Sequence, residues 1–543
     1  MIQKKLFQVK ARRRRFHSVT ERIVRVLFIT GAIAAVFSCD TIINMDNTNT
    51  VDHDNPLANN TSVPVVTGIF IAPEISSDAG LAEWISSLQA MKTIGINTVI
   101  VQYSFQTDAI YGTQAYFEPF PQQDTALYPE RRRQIGRILH AARAADMQVY
   151  LGLQIAEREW FDGNMYRDYD WLYSQYRLST ELADALWSAF GDDYAGTVAG
   201  WYLPFEFESS AEYHDYFHQI TDVYYRPVTA YLKDSFDGLP VIISPLMYAY
   251  DDKDRWRNSL ITVLAGAQID IIAPQDGIGY GTQTHATVGD WYATTDLAVK
   301  YVNETSGKSI SLWGNCENYM HRRDYNDALE SIKPMSIGKF INSLHTVAPY
   351  VDNLITFSIH RWDACMNHNV ATGINSSYYE AYKTYYLTKE IPESKAAGYY
   401  VRISSPGTLT FHEQANAGLT DGFAVETDNW QAYKGVNVSG AQTFTMEIRF
   451  DDPVDISSIK SHYYQDSPSE IVWPKSVAYE YLVRSGPDDD IYNYYSFGNE
   501  NRLNSGSQTA STAQRAQAVT ADGVRITVQI GGSWTFLDEI WVE

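Results

Sequence analysis

Residues 197–206 read TVAGWYLPFE. The run is apolar, rich in β-branched and aromatic residues, and stops at a carboxylate. In an extended chain alternate residues share a face, so Trp201, Leu203 and Phe205 fall on one side and Gly200, Tyr202, Pro204 and Glu206 on the other. Seven further runs have the same character: TGIFIAPE (67–74), TVIVQYS (98–104), QVYLGLQ (148–154), PVIISPL (240–246), IDIIAPQD (269–276), SISLWGNCE (309–317) and LITFSIH (354–360). The gaps between them are long enough for a helix, which is the signature of alternating βα units. Eight units predict a (β/α)8 barrel of the TIM type, whose active site lies at the C-terminal ends of the strands.

The side-chain phase then predicts who lines the mouth. Ile310, Leu312 and Gly314 alternate with Ser311, Trp313, Asn315 and Glu317; Ile355, Phe357 and Ile359 alternate with Thr356, Ser358 and His360. The greasier face is expected against the outer helices and the other inside the barrel. One rule applied to seven runs places Glu74, Gln102, Gln154, Glu206, Asp276, Glu317 and His360 at the mouth. Buried carboxylates are costly unless paired or solvated, so this ring predicts a wet pocket.

The helical gaps are legible as well. Apolar residues recur at helical spacing over 81–94, with Gly95 as a stop, and over 129–145. Residues 179–190, 209–233, 288–303, 334–347 and 377–389 are further candidates. The segment after the fifth run, DDKDRWRNSLITVLAGA, predicts only a short helix. Long stretches at 105–128 and 155–178 are expected to shape a cleft at the mouth.

After about residue 395 helical spacing gives way to strand alternation in TFTMEIRF (443–450), SVAYEYLVR (476–484), GVRITVQI (523–530) and LDEIWVE (537–543). This predicts a second, all-β sandwich domain. The expected boundaries are a barrel over 64–392 and a sandwich over 396–543.

The N-terminal segment is basic (KK, then ARRRR), then apolar (IVRVLFITGAIAAVF), and ends Ser38-Cys39. That order predicts a secretory signal over 1–39. Val36-Phe37-Ser38-Cys39 resembles the lipobox of bacterial lipoproteins, which implies lipidation of Cys39, export and a membrane anchor. An uncut signal anchor is the alternative, but the apolar run is short for a span and carries Arg25. Residues 40–63, rich in Asn, Asp and Thr without periodicity, read as a flexible tether. The formal charge is −23; subtracting the +8 of residues 1–38 leaves −31. So acidic a remainder disfavours nucleic acid as a partner. Of the three cysteines, Cys316 and Cys365 remain beside Cys39. They fall on neighbouring strand ends and read either as free thiols or as a bridge; Cys316 has the outward phase, against a catalytic role.

Hydrolysis of a glycosidic bond requires two carboxyl groups, one to protonate the leaving oxygen and one to attack the anomeric carbon or activate water. Glu206 and Glu317 form the expected pair, ending the fourth and seventh runs. The chain is similar in this to retaining glycosidase barrels with a Glu at each of those two ends, although the residue before Glu206 is Phe205 where Asn is usual. Glu208 and Asp276 are alternative catalytic candidates. Glu74, Gln102, Gln154, Tyr202, Gln275, Asn315 and His360 are expected to contact substrate, with Trp313 and Trp362 as stacking platforms. Each such residue has a plainer reading as core, salt bridge or loop cap, with Arg158 and Arg361 as partners for the acids; the constellation argues more strongly than any member. There is no Gly-x-Ser-x-Gly elbow, phosphate loop, dinucleotide fingerprint or metal-site histidine spacing beyond the weak pair His360 and His368, so no cofactor or metal is expected.

The strings GWYLPFE (200–206), IAPQDGIG (272–279) and WGNCENY (313–319), set on this barrel spacing, resemble the family catalogued as domain of unknown function 4434, glycosidase-like barrel lipoproteins of gut anaerobes. The resemblance covers roughly residues 65–390, implies the barrel and a lipoprotein anchor upstream of it, and leaves the reaction open. LTDGFAVETDNWQAYKG (419–435), followed by IRFDDPVDISSIKSHYY, resembles galactose-binding-like, discoidin-type sandwiches. That implies a carbohydrate-binding module, in which Trp430, Tyr433 and Trp473 either stack a sugar or fill the core. Two functions follow as expectations: a cell-surface or periplasmic glycoside hydrolase, or a glycan-binding lipoprotein without catalysis.

Overall fold

The computed structural model describes residues 63–73, 80–108, 112–118, 132–156, 166–321, 332–335, 337–359, 376–391, 393–399, 401–412, 419–420, 433–486 and 491–543. Glu74, Arg158, His360, Arg361, Trp362, Cys365, Trp430 and residues 1–62, with Cys39, lie outside them.

Eight parallel strands close into a barrel in chain order: β1 Gly68–Ile71, β2 Thr98–Val101, β3 Gln148–Gly152, β4 Val198–Leu203, β5 Val241–Ile243, β6 Ile271–Ile272, β7 Ser311–Glu317 and β8 Asn353–Ile359. β1 pairs with both β2 and β8, which closes the ring. Each strand is followed by a helix: α1 Leu81–Thr93, α2 Gln134–Ala144, α3 Tyr169–Phe190, α4 Arg226–Ser235, α5 Lys253–Gly266, α6 Val288–Ser306, α7 Ile337–Val347 and α8 Ser376–Thr388. The fold is a (β/α)8 barrel. The segment after β5, expected to be short, is a 14-residue helix. Its Asp252 carboxylate caps the first turn by accepting from the N–H groups of Asp254 (2.9 Å) and Arg255 (3.1 Å), which offsets a weak apolar pattern.

The outer faces of the strands and the inner faces of the helices form one apolar layer, with Trp201, Leu203 and Phe205 from the β4 run and Leu312 and Cys316 from β7. A second cluster fills the barrel itself: Phe70, Ile100, Tyr150, Tyr202, Ile242, Ile271, Ala273 and Ile355, joined by Trp313 and Phe357. Phe70 meets Tyr202 edge-on at 5.1 Å and Phe357 at 5.6 Å. The barrel is thus plugged by side chains beneath its mouth, as interiors of this size are.

Beyond β4, a short helix Phe217–Ile220 and a π-helical turn Thr221–Tyr225 lead into α4. The turn places the Tyr225 hydroxyl to donate to Phe205 O at 2.6 Å, immediately before Glu206. A connector over 393–399 leads to an antiparallel β-sandwich, β9 Arg402–Ser404 to β17 Thr535–Val542. The long strands β12 Thr443–Tyr464 and β16 Gln508–Gln529 run through it, with register shifts at Arg449/Val454 and Ile456/Ser458. Its core includes Phe444, Met446, Ile448, Val524, Ile526, Leu537 and Ile540. Tyr433 is fully buried in a second, smaller cluster with Tyr464, Ile471 and Phe536. Lys339 of α7 and Asp452 of β12 form an ion pair between barrel and sandwich.

Candidate active site

Past Leu203 the chain of β4 continues in the same phase, so that Phe205 and Phe207 enter the outer apolar layer and Glu206 and Glu208 turn to the mouth. Glu206 is half-buried. Burial pushes its carboxyl up to about 8; the Gln275 side chain, hydrogen-bonded to it, opposes the shift, and the charges of Glu317 and Glu208 add to it. The Tyr166 hydroxyl donates to Glu206 O (3.4 Å), which fixes the backbone at this point.

Glu317 closes β7 and is buried. Its Oε2 accepts from the N–H of Tyr280 at 2.7 Å, and its Oε1 from the Tyr319 hydroxyl at 3.3 Å. Burial raises this carboxyl to about 7 against the lowering effect of those donors and of the Gly279 N–H. Gly279 is required: a Cβ there would lie 2.1 Å from Tyr319 O and 2.9 Å from Glu317 Oε2. The sharp turn that brings 278–280 onto Glu317 uses Gly277, whose φ of 64° suits glycine.

The structure corrects the phase expected at β6. Ile271 and Ala273 lie inside the barrel, so Gln275 points into the mouth and Asp276 points out of it. Asp276 is fully buried behind the wall. Its Oδ1 accepts from the N–H of Ile278 and of Glu317, both at 3.2 Å. Burial, with the charge of Glu317, holds its carboxyl well above the usual range. The inversion follows from counting faces by greasiness: Ile271 and Ala273 are apolar because the barrel interior is. The same error reverses β8, where Ile355 and Phe357 fill the interior and the outward Thr356 donates to Cys316 O at 2.7 Å.

Other expected contacts are placed elsewhere. β3 ends at Gly152, and Leu153 accepts from the N–H of Ser104 and Phe105. The chain thereby leaves the barrel for a small sheet of 105–108, 112–115 and 154–156. Gln154 consequently turns away from the mouth and bonds Ser179 of α3 at 2.8 Å. Tyr202 belongs to the interior plug and is 2% exposed. Trp313 lies four residues before Glu317, about 13 Å toward the base of the barrel, where its indole N–H donates to Ser311. Neither ring is a stacking platform at the mouth. Gln102 is half-buried, two residues past Ile100 and in its inward phase.

Gln275 and Asn315 are brought together under the acids by a residue the sequence did not single out, Ser244. Gln275 Nε2 donates to Ser244 O (3.1 Å) and Asn315 Nδ2 to Ser244 Oγ (3.1 Å). Gln275 in turn bonds Glu206, so one polar chain ties β4, β5, β6 and β7. Tyr248, Tyr280 and Tyr319 were likewise missed. The signal available was their position: two, four and two residues beyond predicted strand ends. Glu208, an alternative acid, is half-buried and takes a hydrogen bond from the Tyr248 hydroxyl; burial raises its carboxyl. Cys316 is a free, buried thiol with its pKa driven up by burial, unsuited to nucleophilic work. Among the described residues no three His, Cys, Asp or Glu side chains are placed to share a metal ion, and no helix is long and apolar enough to cross a membrane.

The chain is similar in structure to a protein provisionally assigned as an alpha-L-fucosidase from Bacteroides thetaiotaomicron VPI-5482, at 21% identity and a TM-score of 0.44, covering 60% of this chain and 96% of that one. It is also similar to an endo-1,4-beta-D-mannanase of Thermotoga petrophila RKU-1, at 11% identity and a TM-score of 0.36, covering 55% and 88%. A third is the intracellular xylanase of Thermoanaerobacterium saccharolyticum JW/SL-YS485, at 12% and 0.31, covering 55% and 90%. No curated protein matches the chain. The family model for the domain of unknown function DUF4434 matches residues 66–371, which is more than half of the 543 and the whole of the barrel from β1 to β8, and the chain belongs to that family.

Proposed function

We propose that the chain is a glycoside hydrolase in which Glu206 is the general acid/base and Glu317 the nucleophile or base. The observation that carries the reading is that the two carboxyls come from the ends of different strand runs yet lie close enough for the charge of Glu317 to raise Glu206, each being desolvated. Their environments differ in the direction the chemistry needs. Glu317 receives two N–H groups and a phenol, which favour its anion; Glu206 keeps its proton to a higher pH. Protonated Glu206 then supplies a proton to the leaving oxygen while ionised Glu317 faces the anomeric carbon or its water. Activity is accordingly bell-shaped in pH, with the acid limb from Glu317 and the alkaline limb from Glu206.

The test is the purified protein on a polysaccharide panel, scored for binding and for released sugar, with Glu206→Gln and Glu317→Gln alongside. Turnover falls by at least about 10³-fold in each variant, while binding is kept. Wild-type turnover in either variant removes that residue from the mechanism. Binding without any released sugar by the wild type would establish the non-catalytic glycan-binding reading instead.

The basic and apolar N-terminal segment with Cys39 supports export and lipid anchoring of this activity to a bacterial membrane. Palmitate labelling that disappears in Cys39→Ala checks the anchor.

A further inference from the structure

We propose that the rim formed by Glu208, Tyr248, Tyr250 and Tyr280 is a binding subsite for a second, neutral pyranose ring of the substrate, on the leaving-group side of Glu206. The inference rests on the hydrolase reading for the word substrate, and on the geometry of the rim for the rest.

Glu208 continues the β4 phase two residues beyond the acid, about 7 Å further toward solvent, a displacement on the scale of one sugar ring. It is held there by a parallel bridge to Leu246, which is bridged in turn to Gln275. The Tyr248 hydroxyl donates to its carboxyl. Tyr248 and Tyr250 lie with ring centroids 5.2 Å apart at 52°. Tyr250 is 77% exposed and Tyr280 46%, and Tyr250 lies within electrostatic reach of Glu208 and Tyr280. Tyr280 is joined to the catalytic site directly, since its own N–H holds Glu317 Oε2 at 2.7 Å.

The rim is built rather than loose. The N–H of Ala249 donates to Thr282 O at 2.9 Å and so ties the loop after β5 to the loop after β6. The N–H of Tyr248 donates to Ser209 Oγ (2.8 Å), whose hydroxyl donates to Asp251 Oδ2 (2.9 Å). Aromatic faces displayed on a fixed frame beside a carboxyl match a pyranose: its C–H face stacks and its hydroxyls bond the acid. Glu206, Glu208 and Glu317 are already crowded and desolvated, so an anionic sugar would meet like charge. A neutral sugar does not. Glu208 extends the segment that carries the acid, which puts the ring on the leaving-group side of Glu206, so the substrate is an oligosaccharide or polymer.

The full chain is tested against soluble neutral polymers (a glucan, a mannan, a xylan, a galactan) and polygalacturonate. Affinity electrophoresis measures binding; kcat/KM is compared between an oligosaccharide of the bound polymer and an aryl glycoside of the same sugar. We expect retention by at least one neutral polymer, weakened at least tenfold in Tyr250→Ala and in Glu208→Gln and kept in Tyr250→Phe. The oligosaccharide-to-aryl ratio of kcat/KM falls at least tenfold in Tyr250→Ala. Wild-type retention and an unchanged ratio in Tyr250→Ala and Glu208→Gln would overturn the subsite even if hydrolysis is robust. So would retention by polygalacturonate alone, or by no polymer. Retention lost in the variants with no sugar released by the wild type would leave the subsite standing and remove the hydrolase reading.

Discussion

Glu317 illustrates how neighbours set the acidity of one buried carboxyl. Its burial alone would hold it neutral, and the N–H groups of Gly279 and Tyr280 on one tight turn, with the Tyr319 hydroxyl, restore part of its acidity. That turn depends on Gly279, because a methyl group at 2.1 Å from Tyr319 O must displace backbone. We therefore expect Gly279→Ala to lower kcat by at least about tenfold through loss of the Tyr280 N–H contact, an oriented charge-assisted hydrogen bond. The acid limb of the pH profile moves upward as the donors withdraw. An unchanged limb with unchanged kcat would show that the turn does not tune Glu317. That Glu206 and Glu317 come together was legible here, because both end apolar runs. Which strand-end acids face the mouth was not: Asp276 ends a run just as clearly and points behind the wall.

At the level of elements, the eight strands were readable because each is a short apolar run buried on both sides. That same property hid the phase of β6 and β8. An alternation rule needs one wet face, and a plugged barrel has none until the last residue or two. The break in β3 after Gly152 was hidden for another reason: Gln154 follows in perfect alternation, and only pairing of 105–108 with 154–156 draws it outward. The helix α5 was underestimated from its pattern, and its cap carries more of the burden. Asp252→Ala is expected to destabilise the chain through loss of this cap, seen as a lower urea midpoint with unchanged m. No change in midpoint would mean that packing of Trp256 and Leu260 alone fixes the helix.

For the whole molecule, desolvation of the two neighbouring carboxyls has a stability cost that depends on pH. Glu206 and Glu317 have folded-state pKa values raised to about 8 and about 7 from 4.5. Between pH 4.5 and those values the folded chain binds more protons than the unfolded one, so these groups make stability fall as pH rises. Below about pH 4.5 both states are protonated and the penalty vanishes; above pH 8 it is fully felt. Glu206→Gln and Glu317→Gln should each be stabilising relative to wild type at pH 8.5 and near neutral at pH 4.5. Urea titrations at both pH values check this; a stabilisation equal at the two would show that the carboxyls are not desolvated. Sequence order and hydrophobic spacing determined by themselves that eight βα units precede a β-rich domain, since both are consequences of local periodicity. They also determined that carboxyls cluster at strand ends. The closed ring decided the rest: it brings Gln275, Ser244 and Asn315 from three strands beneath Glu206, sends Asp276 and Gln154 away, and sets Tyr248 and Tyr250 beside Glu208. Those relations depend on distances between segments far apart in the chain and on what is excluded from water between them, and neither quantity has a local signature.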